Sequence, residues 1–102
     1  MSLISREEAA VILERVYKKA LSMGKIKQLN EISRDAFSDD ADISIWARDA
    51  VYFMSANRIM EGIGGNVFAP KNVTYEQERD GYANTSIEQA LALAVRLYAL
   101  KV

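Results

Sequence analysis

The 102-residue chain contains no cysteine and no histidine. Without cysteine there is no disulfide, no thiolate nucleophile and no sulfur-ligated zinc. Without histidine the usual general base is missing, and a Ser-His-Asp triad cannot be assembled. Any catalysis would have to run on carboxylates, lysine or tyrosine. No apolar run reaches the ~20 residues that cross a bilayer. A dominant charge is lacking too: 13 Lys+Arg against 14 Asp+Glu leave a net charge of -1. Those charges are mixed along the chain, which excludes the clustered basic footprint of a nucleic-acid binder. What is present is ordinary for a globular protein: 50% hydrophobic and 26% charged residues. The length fits one small domain or a piece of a repeat array. A chain this short buries only about 65% of its unfolded surface, so every helix face must be used.

Ser5-Arg6-Glu7-Glu8 has the spacing of a capping box, with Ser5 and Glu8 bonding each other's amides. Behind it Ala9, Ile12, Leu13, Val16, Tyr17 and Ala20 recur at helical spacing and define an apolar face. Glu7, Glu14, Arg15, Lys18 and Lys19 read as the polar remainder, acids early and bases late, and Gly24 reads as the stop. Residues 25–36 read as a connector. Asp39, Asp40 and Asp42 lead to Ser44, the expected N-cap of a second helix. That helix carries a wide band of Trp46, Ala47, Ala50, Val51, Phe53, Met54 and Ile59, and Gly62, Gly64 and Gly65 are expected to end it. Val67-Phe68-Ala69-Pro70 reads as a strand fragment with Phe68 inward, closed by the single proline. A polar loop follows, with a turn of helix begun at Thr74. The last helix opens at Ser86, boxed with Gln89, and its face is Ile87, Ala90, Leu91, Ala94, Leu97 and Tyr98, broadened by Leu93 and Leu100.

The segments after Ser5 and Ser86 follow one plan, and each runs on to an Arg and a Tyr: Arg15-Val16-Tyr17 and Arg96-Leu97-Tyr98. This is weak internal repetition, the mark of a modular array. Chemical readings are few. The three aspartates lack the glycine and distal glutamate of an EF-hand loop and read as a helix-leading acidic loop, so no metal is expected. Glu7 and Glu8, as neighbours on a helix, point apart and do not form an acid–base pair. The glycines lack the frame of a phosphate loop. Arg6 taken alone reads as a solvated first-turn residue, and Trp46, lying on the apolar band, reads first as core and second as a ligand platform.

Phe37-Ser38-Asp39, Trp46-Ala47-Arg48-Asp49-Ala50-Val51, Ile59-Met60-Glu61-Gly62, Phe68-Ala69-Pro70 and Ser86-Ile87-Glu88-Gln89, in that order, resemble the S-layer homology domain. Ser5-Arg6-Glu7-Glu8 resembles the helix-opening signature of a preceding motif. The chain departs from the family pattern in four places. Ile87 stands for an arginine, Gln89 for a glutamate and Arg58 for a glycine, and the loop 71–84 is longer than usual. The resemblance implies an all-α fold, a small bundle of three main helices with short extended connectors. It divides residues 1–102, a single domain fragment, into a closing helix of one motif (4–24), a connector (25–36) and one full motif (37–102).

It also implies function: a non-catalytic module that anchors a bacterial surface protein by binding a secondary cell-wall polysaccharide of the pyruvylated class. No cofactor and no membrane span are implied. Other motifs of the same kind, in the same or another chain, are further partners. The implied location is extracellular, at the cell wall, with any export leader lying outside this sequence. A physical argument stands beside the resemblance. An arginine fork grips a carboxylate with two charge-assisted bonds. Arg6 would lie in a first helical turn, where free amides and the helix dipole also favour an anion. Asp39 could meet sugar hydroxyls and the Trp46 indole a sugar face. The alternative is a degenerate module kept for protein–protein packing or spacing.

Overall fold

A computed structural model of the protein describes residues 3–25, 28–29 and 35–98. Strand β1 (Leu3–Ser5) leads into helix α1 (Arg6–Ser22). Two short 3-10 turns, Asp40–Asp42 and Ile45–Ala47, precede α2 (Arg48–Ala56). Helix α3 (Tyr75–Asp80), strand β2 (Asn84–Ser86) and helix α4 (Ile87–Tyr98) complete the described chain. The protein is mostly helical, and three of its helices are the expected main ones. The residues before α1 and α4 go beyond expectation: they pair antiparallel, in the register Leu3 to Ser86, Ile4 to Thr85 and Ser5 to Asn84. Pairing satisfies backbone groups that the two approach segments would otherwise leave open. The stretch 25–36 lies largely outside the described residues.

Helix α1 supplies the floor of the core. Ala9, Ala10, Leu13, Tyr17 and Ala20 are buried along it, and its small alanines let α2 approach closely. Helix α2 answers with Ala50, Val51 and Met54, and α4 with Ala90 and Leu97. Phe68 is fully buried, a placement worth about 2–3 kcal/mol of hydrophobic transfer. Its ring lies 5.3 Å from Phe37, while Tyr17 and Phe53 meet at 5.2 Å. Leu91 was expected on the buried face of α4 but is 61% exposed. Leu93 packs against the core in its place, because α4 presents only one side to α1.

Local chemistry sets the helix starts. Ser5 and Glu8 form the expected reciprocal box at 3.2 and 2.8 Å, and Ser86 and Gln89 repeat it at 3.0 and 2.9 Å. Thr74 and Gln77 make a third box that opens α3. At its far end α1 closes as expected: Gly24 is left-handed, and the amides of Gly24 and Lys25 return to Leu21 and Ala20. The end of α2 corrects the sequence reading. The helix stops at Ala56, before the glycines and before Ile59. The amides of Arg58 and Ile59 fold back to the carbonyls of Ser55 and Met54, so Arg58 takes the left-handed position that ends the helix. Gly62, Gly64 and Gly65 instead shape a tight hairpin, with Ile63 and Val67 bonded at 2.9 Å.

Candidate functional site

The start of α1 and the hairpin 59–70 meet at Phe68. Arg6 reaches across: its Nε donates to the Phe68 carbonyl at 2.9 Å and its Nη2 to the Glu61 carbonyl at 2.6 Å. The guanidinium carbon lies 4.9 Å from the Phe68 ring centroid, a cation–π contact. Asp39 holds the other side of the same peptide. Its Oδ1 accepts the Phe68 N–H at 3.0 Å and its Oδ2 the Ala69 N–H at 2.8 Å. Arg6 and Asp39, singled out in the sequence, are therefore brought together on one short piece of backbone. Ala69 sits there at φ +59°, a conformation such bracing must hold against its steric preference.

Partial burial pulls the Arg6 guanidinium below its ordinary pKa, while the nearby Asp39 and Tyr82 charges act the other way. Burial of a cation disfavours its charged form. Among the described residues no carboxylate forms an ion pair with Arg6, and its Nη1 has no hydrogen-bond partner. One expectation fails: the first-turn amides are not open to an anion. The Arg6 N–H donates to Ala83 and the Glu7 N–H to Pro70, at 3.0 and 2.9 Å, and Ser5 takes the Glu8 amide. Any grip on a ligand therefore belongs to the guanidinium, not to the helix terminus.

Trp46 lies apart. No hydrogen bond or ring contact joins it to Arg6 or Asp39 among the described residues. It is 62% exposed, and its neighbour Ile45 is 93% exposed, so the reading of Trp46 as core is overturned. The cause is local: residues 45–47 form a 3-10 turn rather than the first turn of α2. The tighter winding breaks the α-helical period on which the broad apolar band rested. Ala47 turns inward and the indole stays outside.

Glu7, read in the sequence as a surface residue, is 2% exposed. Its two carboxylate oxygens accept the Ser44 N–H and the Ser44 hydroxyl, each at 2.8 Å. Lys71 Nζ donates to the same hydroxyl at 3.0 Å. Ser44, expected as the N-cap of α2, instead precedes the 3-10 turn 45–47, while Ala47 stands at the N-cap of α2, and the Ser44 side chain is turned toward Glu7. A signal for this was available: Glu7 heads the stripe continued by Ala10, Leu13, Tyr17 and Ala20. A further brace ties the acidic loop to α2, where Arg48 forks onto Asp40 with both bonds at 2.6 Å and Tyr52 donates to the same carboxylate. Among the described residues no group of His, Cys, Asp or Glu is arranged to hold a metal ion, and no helix is long and apolar enough to cross a membrane.

The arrangement is a helical scaffold whose hairpin is clamped between Arg6 and Asp39, with the Trp46 indole exposed. The chain contains an S-layer homology domain, which the family model matches at residues 36–77. It is similar to an amylopullulanase of Thermoanaerobacterium thermosulfurigenes, 41% identical over 68 residues, or 67% of this chain and 3% of that protein. It is also similar to the exoglucanase XynX of Acetivibrio thermocellus, 37% identical over 75 residues, or 74% of this chain and 6% of that protein. The chain thus spans only a small fraction of the length of either relative. No solved structure matches it. S-layer homology domains are non-catalytic and generally serve as cell-wall anchoring modules of bacterial surface proteins.

Proposed function

We propose that this chain anchors its parent protein outside the cell by binding a secondary cell-wall polysaccharide, of the pyruvylated class, through Arg6. The observation that carries the reading is the state of that guanidinium. It is partly stripped of water and held rigidly by two backbone carbonyls, and the oxygens of the nearest acid are engaged by amides. A desolvated cation without an ion-pair partner favours an incoming carboxylate. Asp39 fixes the hairpin that orients Arg6 and keeps lone pairs for sugar hydroxyls. Trp46 offers an open indole face of the kind on which a sugar ring stacks.

The test is co-sedimentation with purified cell-wall sacculi. The wild-type chain is expected in the pellet, Arg15→Ala with it, and Arg6→Ala and Arg6→Lys largely in the supernatant. Lysine keeps the charge but loses the fork, and circular dichroism of each variant separates lost binding from lost folding. Retention that ignores both Arg6 variants overturns the assignment. A packing role between modules is the second reading, favoured by Ile87 at the arginine position and by the exposed Leu91 and Val95 of α4. Self-association without sacculus retention would select it.

A further inference from the structure

Three helix ends in this chain close with the same pair of backbone bonds around a left-handed residue. After α1 and α3 that residue is glycine, Gly24 at φ +68° and Gly81 at φ +67°; after α2 it is Arg58, at φ +59°. The left-handed region disfavours any residue with a Cβ, and glycine meets the same bonds without strain. Nothing within the fold explains the exception. The Arg58 backbone is engaged on both sides, its N–H donating to the Ser55 carbonyl at 3.0 Å and its carbonyl accepting from Arg96 Nη2 at 2.9 Å. Among the described residues its side chain has no hydrogen bond, ion pair or ring contact, and it is exposed.

The side chain does border an open groove of about 360 Å³, whose walls include Phe37, Ser55, Glu61, Gly62 and Asn66. That volume lies at the small end of ligand sites. At Gly62 the hairpin backbone is closely packed, and a Cβ there would come 2.5 Å from the Val67 carbonyl oxygen. The groove also adjoins the Arg6 clamp, because the Glu61 peptide that lines it is the one whose carbonyl holds Arg6 Nη2. A strained residue kept at a site that glycine would satisfy points to function rather than stability. We propose that Arg58 is a second anion contact, reading a carboxylate or phosphate on the saccharide unit next to the one gripped by Arg6. The inference rests on the wall-binding reading and adds to it a length, since the ligand must present acidic groups on neighbouring units.

Arg58→Gly tests it without risk to the fold, because the substitution relieves strain. Two opposite shifts are expected: a melting temperature higher by a few degrees, and retention on wall sacculi weaker by roughly tenfold. Arg58→Lys should keep most of the retention and gain no stability. Removal of phosphate from the sacculi, which leaves the pyruvate held by Arg6, erases the difference between wild type and Arg58→Gly if the group is a phosphate and leaves it in place if the group is a carboxylate. If Arg58→Gly binds as well as wild type, the second contact is overturned and the Arg6 reading stands. If wild type itself is not retained, the wall-binding reading falls and this inference with it.

Discussion

Glu7→Ala is expected to be among the most damaging single changes outside the apolar core. The carboxylate is 2% exposed and takes two bonds from Ser44 at 2.8 Å each. A hydrogen bond to a charged group contributes about 1.5–3 kcal/mol, and the partners left behind add a desolvation penalty. Ser44 is only half-buried, so water can reach it in the variant and the lower end of the range applies to each bond. The expected loss is about 3 kcal/mol, a large share of the ~5–15 kcal/mol that stabilises an ordinary domain. In a domain of this size that corresponds to a drop of about 12–24 °C in melting temperature. Urea denaturation followed by far-UV circular dichroism measures it. Ser44→Ala removes the hydroxyl's bonds to Glu7 and Lys71 but keeps the amide bond, and should cost about half as much. The double variant should show a coupling of about 1–2 kcal/mol, since both changes break the same contact. A loss under about 1 kcal/mol for Glu7→Ala, or additive behaviour of the pair, would show that the carboxylate–serine contact does not hold the segment before α2 to α1.

Alkaline pH should expose the Tyr52 brace. Its hydroxyl is raised above the ordinary 10.0, by burial first and then by the bond it donates to Asp40. A folded value above the unfolded one gives stability that is complete below about pH 10 and is lost as pH climbs through the folded value. Tyr52→Phe should lower stability near neutrality and flatten its decline between about pH 9 and 11; an unchanged slope would assign the decline to other groups. Gly62→Ala should destabilise by about 2–3 kcal/mol, because its new Cβ would press on the Val67 carbonyl and, at 3.1 Å, on the Phe37 ring. A Gly62→Ala protein that melts like wild type would mean the hairpin can shift freely.

The parts of the fold legible in the sequence were the local ones. The boxes at Ser5 and Ser86, the turn of helix begun at Thr74 and the stop at Gly24 depend on residues within four positions of each other, so spacing alone reveals them. Phe68 could be placed inside because an aromatic between a glycine turn and the single proline has nowhere else to pack. Distant partners stayed hidden. Glu7 is buried because Ser44 supplies two donors from 37 residues away, and no helical wheel contains that fact. The same limit applies to the two amides bonded by Asp39 and to the β1–β2 pair. Trp46 misled for a different reason: periodicity assumes one helix type, and a single 3-10 turn ahead of α2 put the indole on the opposite side. At the site, the residue types of Arg6 and Asp39 were readable, but not that both act on the Phe68 peptide.

The first helix of this chain begins on supports made much later. Its leading strand needs Asn84 to Ser86, its first two amides need Ala83 and Pro70, and its arginine needs Glu61 and Phe68. During synthesis, α1 therefore emerges with only its Ser5–Glu8 box to secure its beginning, well before these other supports. Helix propensity can hold it only in part until the ribosome has released most of the remaining chain. Assembly must close one long circuit between segments distant in sequence, and such non-local contacts form more slowly than the local contacts of a simple helical bundle.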